Sequence, residues 1–430
     1  MLKFLRQLIT QNVLLKVSSF NAVGVCVRLV CGLVTSKLIA FYLGSPGMAI
    51  LGDLRNFMSS LQSIGQLGIS NGVIKYSAEF NDDKTRLQKL MSTVLKVGFL
   101  ASVFLSVVLF FSASIINTKF LNLDLDYASI IKVLAIVLPF FTLNALMLNI
   151  INGIGNYKKV ILINSITNVA GVALTAILIV NYQLYGAMLA AVLSAGIGLL
   201  ITLSTIFKKR SLFRELLQEQ IDASMLIRLA SYGGMTLFSA IVSPWVYIAI
   251  RQEIIAVDGL ENAGYWDAML RLSDYYLMFA TTLLTLYILP KLSAATSKRE
   301  FRAEVFRFYR TFLPLFGAGL IVLFFIKTWI IRLVYSPSFL DMQPVFIWQL
   351  TGDFFRVASL VIAYQMLAKN KFWLFIGTQV LSLSIIYFSS VFFIQDYGFV
   401  GAAMGHLLSY VLYLLVLLLI FRNALFGKFC

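Results

Sequence analysis

The chain has 430 residues, of which 60% are hydrophobic and only 13% are charged, and its formal net charge is +16. Soluble domains are about 45–50% apolar and about 25% charged, so this composition excludes a soluble protein. It predicts an all-α polytopic membrane protein, in which positive charge gathers in the cytoplasmic loops. Nucleic acid is not expected as a partner, because no segment is long enough for a soluble module with a basic face.

Apolar segments long enough to cross a bilayer recur from end to end. We predict about twelve transmembrane helices, at approximately residues 14–42, 47–77, 88–115, 127–152, 160–181, 185–207, 225–252, 263–290, 303–327, 341–368, 372–394 and 398–421. The connection from Phe207 to Ser224 is the longest, and its stretch Arg214 to Ile221 is interpreted as a helix lying in the membrane interface.

Lysine and arginine favour every second connection, which sets the orientation of the chain. The rich set includes Lys84, Lys158, Lys208, Lys298 and Lys369, together with basic residues at both ends, whereas the alternate set carries only Lys119, Lys327 and Arg332. The pattern predicts that both termini are cytoplasmic.

The second half of the chain resembles the first at an offset of 212 to 216 residues. Tyr185-Gly186 and Tyr397-Gly398 each precede a run of small residues, and Lys75 falls opposite Lys291. Six helices per half would enter the membrane in the same orientation, as parallel repeats. We therefore predict two six-helix lobes around a central cavity, residues 1–212 and residues 213–430.

Charged residues inside the apolar segments are the candidate site residues, because a charge at membrane depth tends to mark a substrate path. Arg55 and Arg271 occupy corresponding places in the two halves, and arginine binds phosphate through two parallel hydrogen bonds. These arginines are predicted to bind an anionic substrate. The alternative is that each is neutralised locally, Arg55 by Asp53 and Arg271 by Asp267.

Further charged residues could bind substrate, pair with one another or couple transport to an ion. Arg28 lies near the middle of the first helix, and Arg251 lies at the outer end of the seventh, where we expect solvent to reach it. Asp267, Arg271 and Asp274 share one helix face, and Asp353 and Arg356 are neighbours on another helix. The single histidine, His406, is interpreted as a packing residue. Asp267, Asp274 and Asp353 are the groups that could titrate or bind a cation.

The sequence contains no motif for ATP binding, serine hydrolysis or zinc catalysis. It also has no outer loop large enough for glycosyl transfer. We expect no enzyme activity, no metal site and no cofactor, and coupling to H⁺ or Na⁺ remains open.

Four local strings resemble a known family. They are YLGSPGMAILGDLRNF, GISNGVIKYSAEFNDD, RLSDYYLMFATTLLTLYILPKLS and FIWQLTGDFFRVAS. The resemblance is to the multidrug/oligosaccharidyl-lipid/polysaccharide exporter superfamily and, within it, to the Wzx-type flippases that include the WzxE-like lipid III flippases. NGVIKY and WQLTGD are its most specific parts, and it extends over the whole chain.

The resemblance implies a flippase that moves undecaprenyl-diphosphate-linked oligosaccharides across a bacterial inner membrane by alternating access. O-antigen and enterobacterial common antigen precursors are the implied substrates, and membrane lipids and other glycan-assembly membrane proteins are the implied partners. In related lipid II flippases, cavity arginines on the first, second and eighth helices carry function; Arg28, Arg55 and Arg271 lie in those places. The alternative is a cation-coupled exporter of drugs or small molecules with the same architecture.

Overall fold

A computed structural model describes residues 13–118, 127–206, 219–295 and 297–427. The two terminal segments, the proposed lobe boundary at residues 212 and 213 and most of the predicted interfacial helix Arg214–Ile221 lie outside these ranges.

The described residues are almost entirely helical and contain no β-strand. The α-helices are α1 (Val13–Gly65), α2 (Ser70–Glu79), α3 (Lys84–Phe111), α4 (Ala113–Ile116), α5 (Ala128–Gly153), α6 (Tyr157–Ile206), α7 (Ala223–Leu283), α8 (Leu289–Ala294), α9 (Lys298–Phe325), α10 (Lys327–Val334), α11 (Val345–Ala368), α12 (Phe372–Tyr397), α13 (Phe399–Ile420) and α14 (Arg422–Leu425). A π-helical turn, Leu284–Ile288, joins α7 to α8, and a 3₁₀ segment, Pro337–Met342, precedes α11.

Within the described ranges, nine helices are long and apolar enough to cross a membrane. Three of them contain one non-helical residue each: Gly44 in α1, Gln183 in α6 and Gly259 in α7. Each break falls between two of the predicted spans, so the nine helices contain twelve spanning segments. The prediction of an all-α polytopic membrane protein is confirmed.

Large apolar side chains cover much of the molecule's exterior, as expected for a surface that meets lipid rather than water. Phe104, Phe111, Trp329 and Trp373 are all more than 70% exposed. The chain is a multi-pass membrane protein.

Two predicted spans are less regular in the structure. The second, expected to continue to residue 77, ends as a helix at Gly65, because Leu67 and Gly68 adopt left-handed backbone conformations before α2 begins. The eighth, expected to reach residue 290, leaves the α-helical conformation after Leu283 and continues through the π-helical turn.

The backbone breaks repeat at a constant interval. Of the eight described residues with positive φ, six form three pairs, and the two members of each pair are 215 residues apart. The pairs are Gly44 and Gly259, Gly155 and Asn370, and Gln183 and Gly398. Such conformations are rare, particularly for the non-glycine members. Their spacing supports the internal repeat that the sequence predicts. In this register Arg271 falls one residue beyond the position equivalent to Arg55.

The chain divides into two compact units, and each unit consists of two separate stretches of the sequence. Unit 1 comprises the described residues up to Leu38 and from Phe57 to Ile241; unit 2 comprises Ile39–Asn56 and the described residues from Val242 onward. The lobes predicted from the sequence, with their boundary between residues 212 and 213, remain a prediction.

Each unit has its own apolar core. In unit 1, residues of α2, α3 and α5 enclose the first turns of α7, with Val73, Leu90, Val94 and Leu229 fully buried. In unit 2, one core joins α7, α9, α11 and α13, and a second surrounds Trp266 and Ile250. These cores hold the segments that carry the charged residues.

Candidate functional site

Five charged side chains of unit 2 form one cluster, here called the arginine cluster: Asp53, Arg55, Arg251, Asp267 and Arg271. The part of α1 after Gly44 supplies the first two residues. The segments of α7 before and after Gly259 supply Arg251 and the other two. Three arginines and two aspartates leave one net positive charge.

Arg251 is at the centre of the arginine cluster and is 1% exposed. Its Nη1 donates a hydrogen bond to Asp53, and its Nη2 donates to Asp267 Oδ1 at 2.7 Å. Gln252 Nε2 also donates to Asp53, at 3.1 Å. A buried charge is tolerated only when it is paired and hydrogen-bonded, and Arg251 satisfies this requirement through two carboxylates. The expectation that solvent reaches Arg251 was wrong, because two helical segments cover it.

Asp267 is shared by all three arginines. Arg55 Nη2 donates to its Oδ2 at 2.8 Å, and Arg271 Nε lies 3.9 Å from the same oxygen. The alternative interpretation paired Arg55 with Asp53, but the ion-pair partner of Arg55 is Asp267, and Asp53 pairs with Arg251. The pairing of Arg271 with Asp267 is present but longer than a hydrogen bond.

The three guanidinium groups differ in exposure, and this difference separates their roles. The side chain of Arg55 is 33% exposed and that of Arg271 13%, against 1% for Arg251. Arg55 and Arg271 therefore retain surface for a ligand, whereas Arg251 has none. Chemically, the cluster can bind an anion that replaces Asp267 at Arg55.

Gly52 allows the two helical segments to approach closely at this point. A Cβ atom at Gly52 would overlap Asp267 Oδ1 and would lie 2.8 Å from Arg251 Nη2. The Arg251 guanidinium group also lies over the aromatic ring of Trp266, with 5.5 Å between the guanidinium carbon and the ring centre. A cation over an indole face is stabilised electrostatically.

A second polar group in unit 2 surrounds Asp353, which is completely buried on α11. Its carboxylate accepts hydrogen bonds from the Tyr276 hydroxyl at 2.6 Å and from Gln349 Nε2 at 3.3 Å, and His406 Nε2 lies 3.0 Å from Oδ1. Arg356 Nη1 is 3.8 Å away. The expected Asp353–Arg356 contact is thus present, although the closer partners come from other positions.

His406 does more than pack. Its ring lies against Tyr410 with a centroid distance of 4.8 Å, but its Nε2 contacts Asp353, and its buried Nδ1 has no hydrogen-bond partner within the described residues. We call Asp353 and His406 the histidine–aspartate pair. Sequence reasoning missed it because the two residues are 53 positions apart on different helices.

The remaining predicted residues lie outside both groups. Asp274 is exposed although it lies in the membrane-spanning part of α7, and it makes no hydrogen bond or ion pair with the described residues. Arg28 belongs to unit 1, is exposed on α1 and likewise has no ion-pair partner in the described ranges.

Comparison with known proteins agrees with this architecture. The chain is 26% identical over 407 residues to the lipid III flippase of Escherichia coli (strain K12), an alignment covering 93% of this chain and 96% of that protein. Among solved structures, it matches an inward-facing multidrug resistance MATE family transporter of the MOP superfamily with a TM-score of 0.76, at 14% identity over 93% of this chain and 98% of that one.

It also matches the lipid II flippase MurJ in an inward closed conformation, with a TM-score of 0.63 at 15% identity, over 96% of this chain and 88% of that chain. At such identities the structural matches establish a shared fold and nothing more. The model of the family described as polysaccharide biosynthesis protein matches residues 14–296, about two thirds of the sequence. The chain therefore belongs to the polysaccharide biosynthesis protein family.

Proposed function

We propose that the protein is a flippase that moves an undecaprenyl-diphosphate-linked oligosaccharide across the bacterial inner membrane by alternating access. The observation that carries this proposal is the arginine cluster, which has excess positive charge at membrane depth and two partly exposed guanidinium groups. Family membership and the similarity to a lipid III flippase support the substrate class. The basic connections support an orientation with both termini in the cytoplasm.

In the proposed mechanism, the diphosphate displaces Asp267 from Arg55. Asp267 keeps its hydrogen bond to Arg251, so its charge remains compensated after the exchange. Arg271 Nε is 3.9 Å from the same Asp267 oxygen and becomes the second phosphate ligand. Arg251 positions the two aspartates and does not touch the substrate. The role of Arg28, an exposed residue of unit 1, stays a prediction from the sequence.

A drug exporter of the same architecture is less compatible with this site. Cationic drugs favour cavities lined by acids, whereas both carboxylates of the arginine cluster are less than 5% exposed and are bonded to Arg251. The accessible charges of the cluster are those of Arg55 and, to a smaller extent, Arg271. The similarity to a multidrug transporter extends to the fold alone.

The test is flipping by purified protein in liposomes, with a fluorescent undecaprenyl-diphosphate oligosaccharide and, for comparison, a cationic dye. Arg55→Ala removes charge-assisted hydrogen bonds worth about 1.5–3 kcal/mol, so binding should weaken about 10- to 150-fold. Arg55→Lys should recover part of the activity, because lysine keeps the charge but cannot bind bidentately. Arg299→Ala is the control, since it removes an exposed arginine at the start of α9.

Movement of the glycolipid by wild type and Arg299→Ala, but not by Arg55→Ala, is the expected result. Movement of the dye without the glycolipid would assign the protein to the drug exporters. Equal glycolipid movement by wild type and Arg55→Ala would remove the arginine cluster from the substrate path.

We also propose that transport is coupled to a proton bound by the histidine–aspartate pair. Asp353 is fully buried, and the His406 Nδ1 atom is a buried polar atom without a partner, so gain of a proton would change the hydrogen bonding of the whole group. The titratable and charged residues around the pair are Tyr276 of α7, Arg356 of α11 and Tyr410 of α13, with Asp274 and Tyr247 of α7 beyond them.

Asp353→Asn keeps the shape of the side chain but removes its charge. We expect this variant to bind the glycolipid as wild type does but to lose acceleration of flipping by an imposed pH gradient. Acceleration by a Na⁺ gradient instead, at constant pH, would contradict proton coupling. An unchanged response of Asp353→Asn to the pH gradient would place the coupling site elsewhere.

A further inference from the structure

Unit 1 contains a cavity of about 260 Å³ with an unusual wall. Five of its nine lining residues carry a carboxamide side chain, and none is charged. The lining residues are Gln62, Gln66, Ser70, Ala145, Leu148, Asn149, Asn152, Val160 and Asn164. We call this space the carboxamide cavity.

Residues at the end of α1 and on α5 and α6 contribute the carboxamides that line the cavity. Gln62 lies in the last turn of α1, and Gln66 follows the end of this helix, with its backbone N–H still bonded to the Gln62 carbonyl at 3.0 Å. Asn149 and Asn152 are three residues apart on α5. Asn164 lies one turn after Val160 on α6. Residues three or four apart share a helix face, so the carboxamides converge as a result of their spacing.

Most of these carboxamides make no side-chain hydrogen bond within the part of the chain that the structure describes. Gln66 Oε1 accepts a hydrogen bond from the Ser70 hydroxyl at 2.6 Å. The side chains of Gln62, Asn149, Asn152 and Asn164 make no hydrogen bond to any described residue. Each carboxamide can donate two hydrogen bonds and accept two, so the cavity offers a large unused capacity of both kinds.

The chemistry of the wall restricts the ligand. Without a cationic side chain the cavity does not suit a phosphate, and without a carboxylate it does not suit a cation. A sugar hydroxyl both donates and accepts, which matches the two ends of a carboxamide. A volume of about 260 Å³ is just below the roughly 300–1,000 Å³ of pockets for drug-sized ligands, and it suits one saccharide ring at a time.

We propose that the carboxamide cavity binds an uncharged saccharide unit of the transported molecule. This inference rests on the proposed function, in which the substrate is a lipid-linked oligosaccharide. The arginine cluster recognises the diphosphate that all such substrates share, and the carboxamide cavity recognises the sugar. Selectivity for a glycosylated lipid over the bare lipid diphosphate then arises in unit 1.

The test compares two probes bound to the full-length protein in nanodiscs: undecaprenyl diphosphate and the same lipid carrying one N-acetylhexosamine. Asn149→Leu combined with Asn164→Leu removes two carboxamides. Each lost hydrogen bond should lower binding of the sugar-bearing probe about two- to tenfold. Affinity for the bare lipid should stay unchanged.

Asn181→Leu is the matched control, because this exposed carboxamide of α6 donates to Ile177 O of its own helix, at 2.7 Å. It should keep the wild-type preference for the sugar-bearing probe. Asn149→Ala combined with Asn164→Ala removes the same hydrogen-bonding groups without adding bulk, and it should show the same loss of preference if the leucine variant fails to fold.

Retention of the preference in both double variants would overturn the saccharide site while leaving the proposed function intact. Failure of the wild type to bind either lipid would instead contradict the proposed function. In that case the cavity can be probed with a cysteine introduced by Asn152→Cys, in a chain in which the three native cysteines are replaced by serine. The rate of alkylation of the introduced cysteine is then measured. Protection by free N-acetylhexosamine would uphold the saccharide site, and unchanged labelling would overturn it.

Discussion

The buried position of Arg251 leads to a prediction about stability rather than transport. Arg251→Met replaces the guanidinium group by an unbranched apolar side chain. The change leaves Asp53 and Asp267, which are 4% and 3% exposed, without their shared cation. Asp267 keeps Arg55, but Asp53 keeps only the carboxamide of Gln252. The variant therefore contains a buried carboxylate without a charged partner.

Removing one partner from a buried ion pair costs about 3–5 kcal/mol of folding stability. At about 2 °C per kcal/mol for a large chain, the melting temperature should fall by about 6–10 °C. Arg55→Ala should cost only about 0–1 kcal/mol, because Arg55 is one-third exposed and Asp267 keeps its bond to Arg251. The two variants should thus separate stability from function.

The melting temperature of each purified variant in detergent can be followed by tryptophan fluorescence. Adding Asp53→Asn to Arg251→Met removes the uncompensated charge, and the double variant should recover part of the loss, with a coupling energy of about 0.5–3 kcal/mol. A melting temperature of Arg251→Met within about 1 °C of wild type would refute the reasoning. Equal losses in Arg251→Met and Arg55→Ala would refute it as well.

Three further substitutions test local features. Gly52→Ala forces a methyl group into the arginine cluster and should cost about 1–3 kcal/mol, whereas Gly319→Ala, with nothing within 4 Å of its Cβ position, should raise the melting temperature slightly. Tyr276→Phe removes a hydrogen bond to the buried carboxylate of Asp353 and should lower stability by about 1.5–3 kcal/mol in the same assay; an unchanged melting temperature would show that the bond contributes nothing. Hydrogen bonds from the next turn lower the pKa of Asp222, so its stabilisation of the start of α7 is present above the unfolded-state pKa and is lost as the pH falls through the lower folded-state value. Asp222→Ala should therefore reduce the protection of this turn from amide hydrogen exchange at neutral pH. In the variant, acidification should cause no further loss of this protection. Wild-type protection in the variant would contradict this reasoning.

The sequence by itself determined the fold class, the number of membrane-spanning segments and the presence of a repeat. These properties are encoded locally: apolar runs of sufficient length form spans in any membrane protein, and glycine or polar residues mark the breaks between them. The breaks at Gly44, Gln183 and Gly259 all fall between predicted spans. Because a charge inside a membrane span is energetically costly, the sequence also identified the members of the arginine cluster as candidate site residues.

Only the tertiary structure decided which of these residues meet. Arg251 and Asp267 are 16 residues apart across a helix break, and Asp353 and His406 are 53 residues apart on separate helices, so no helical periodicity relates them. Exposure is equally non-local, because Arg251 is buried by segments distant in the sequence. The carboxamide cavity is a third case: spacing places Asn149 and Asn152 on one face of α5, but only packing brings Gln62 and Asn164 to the same space.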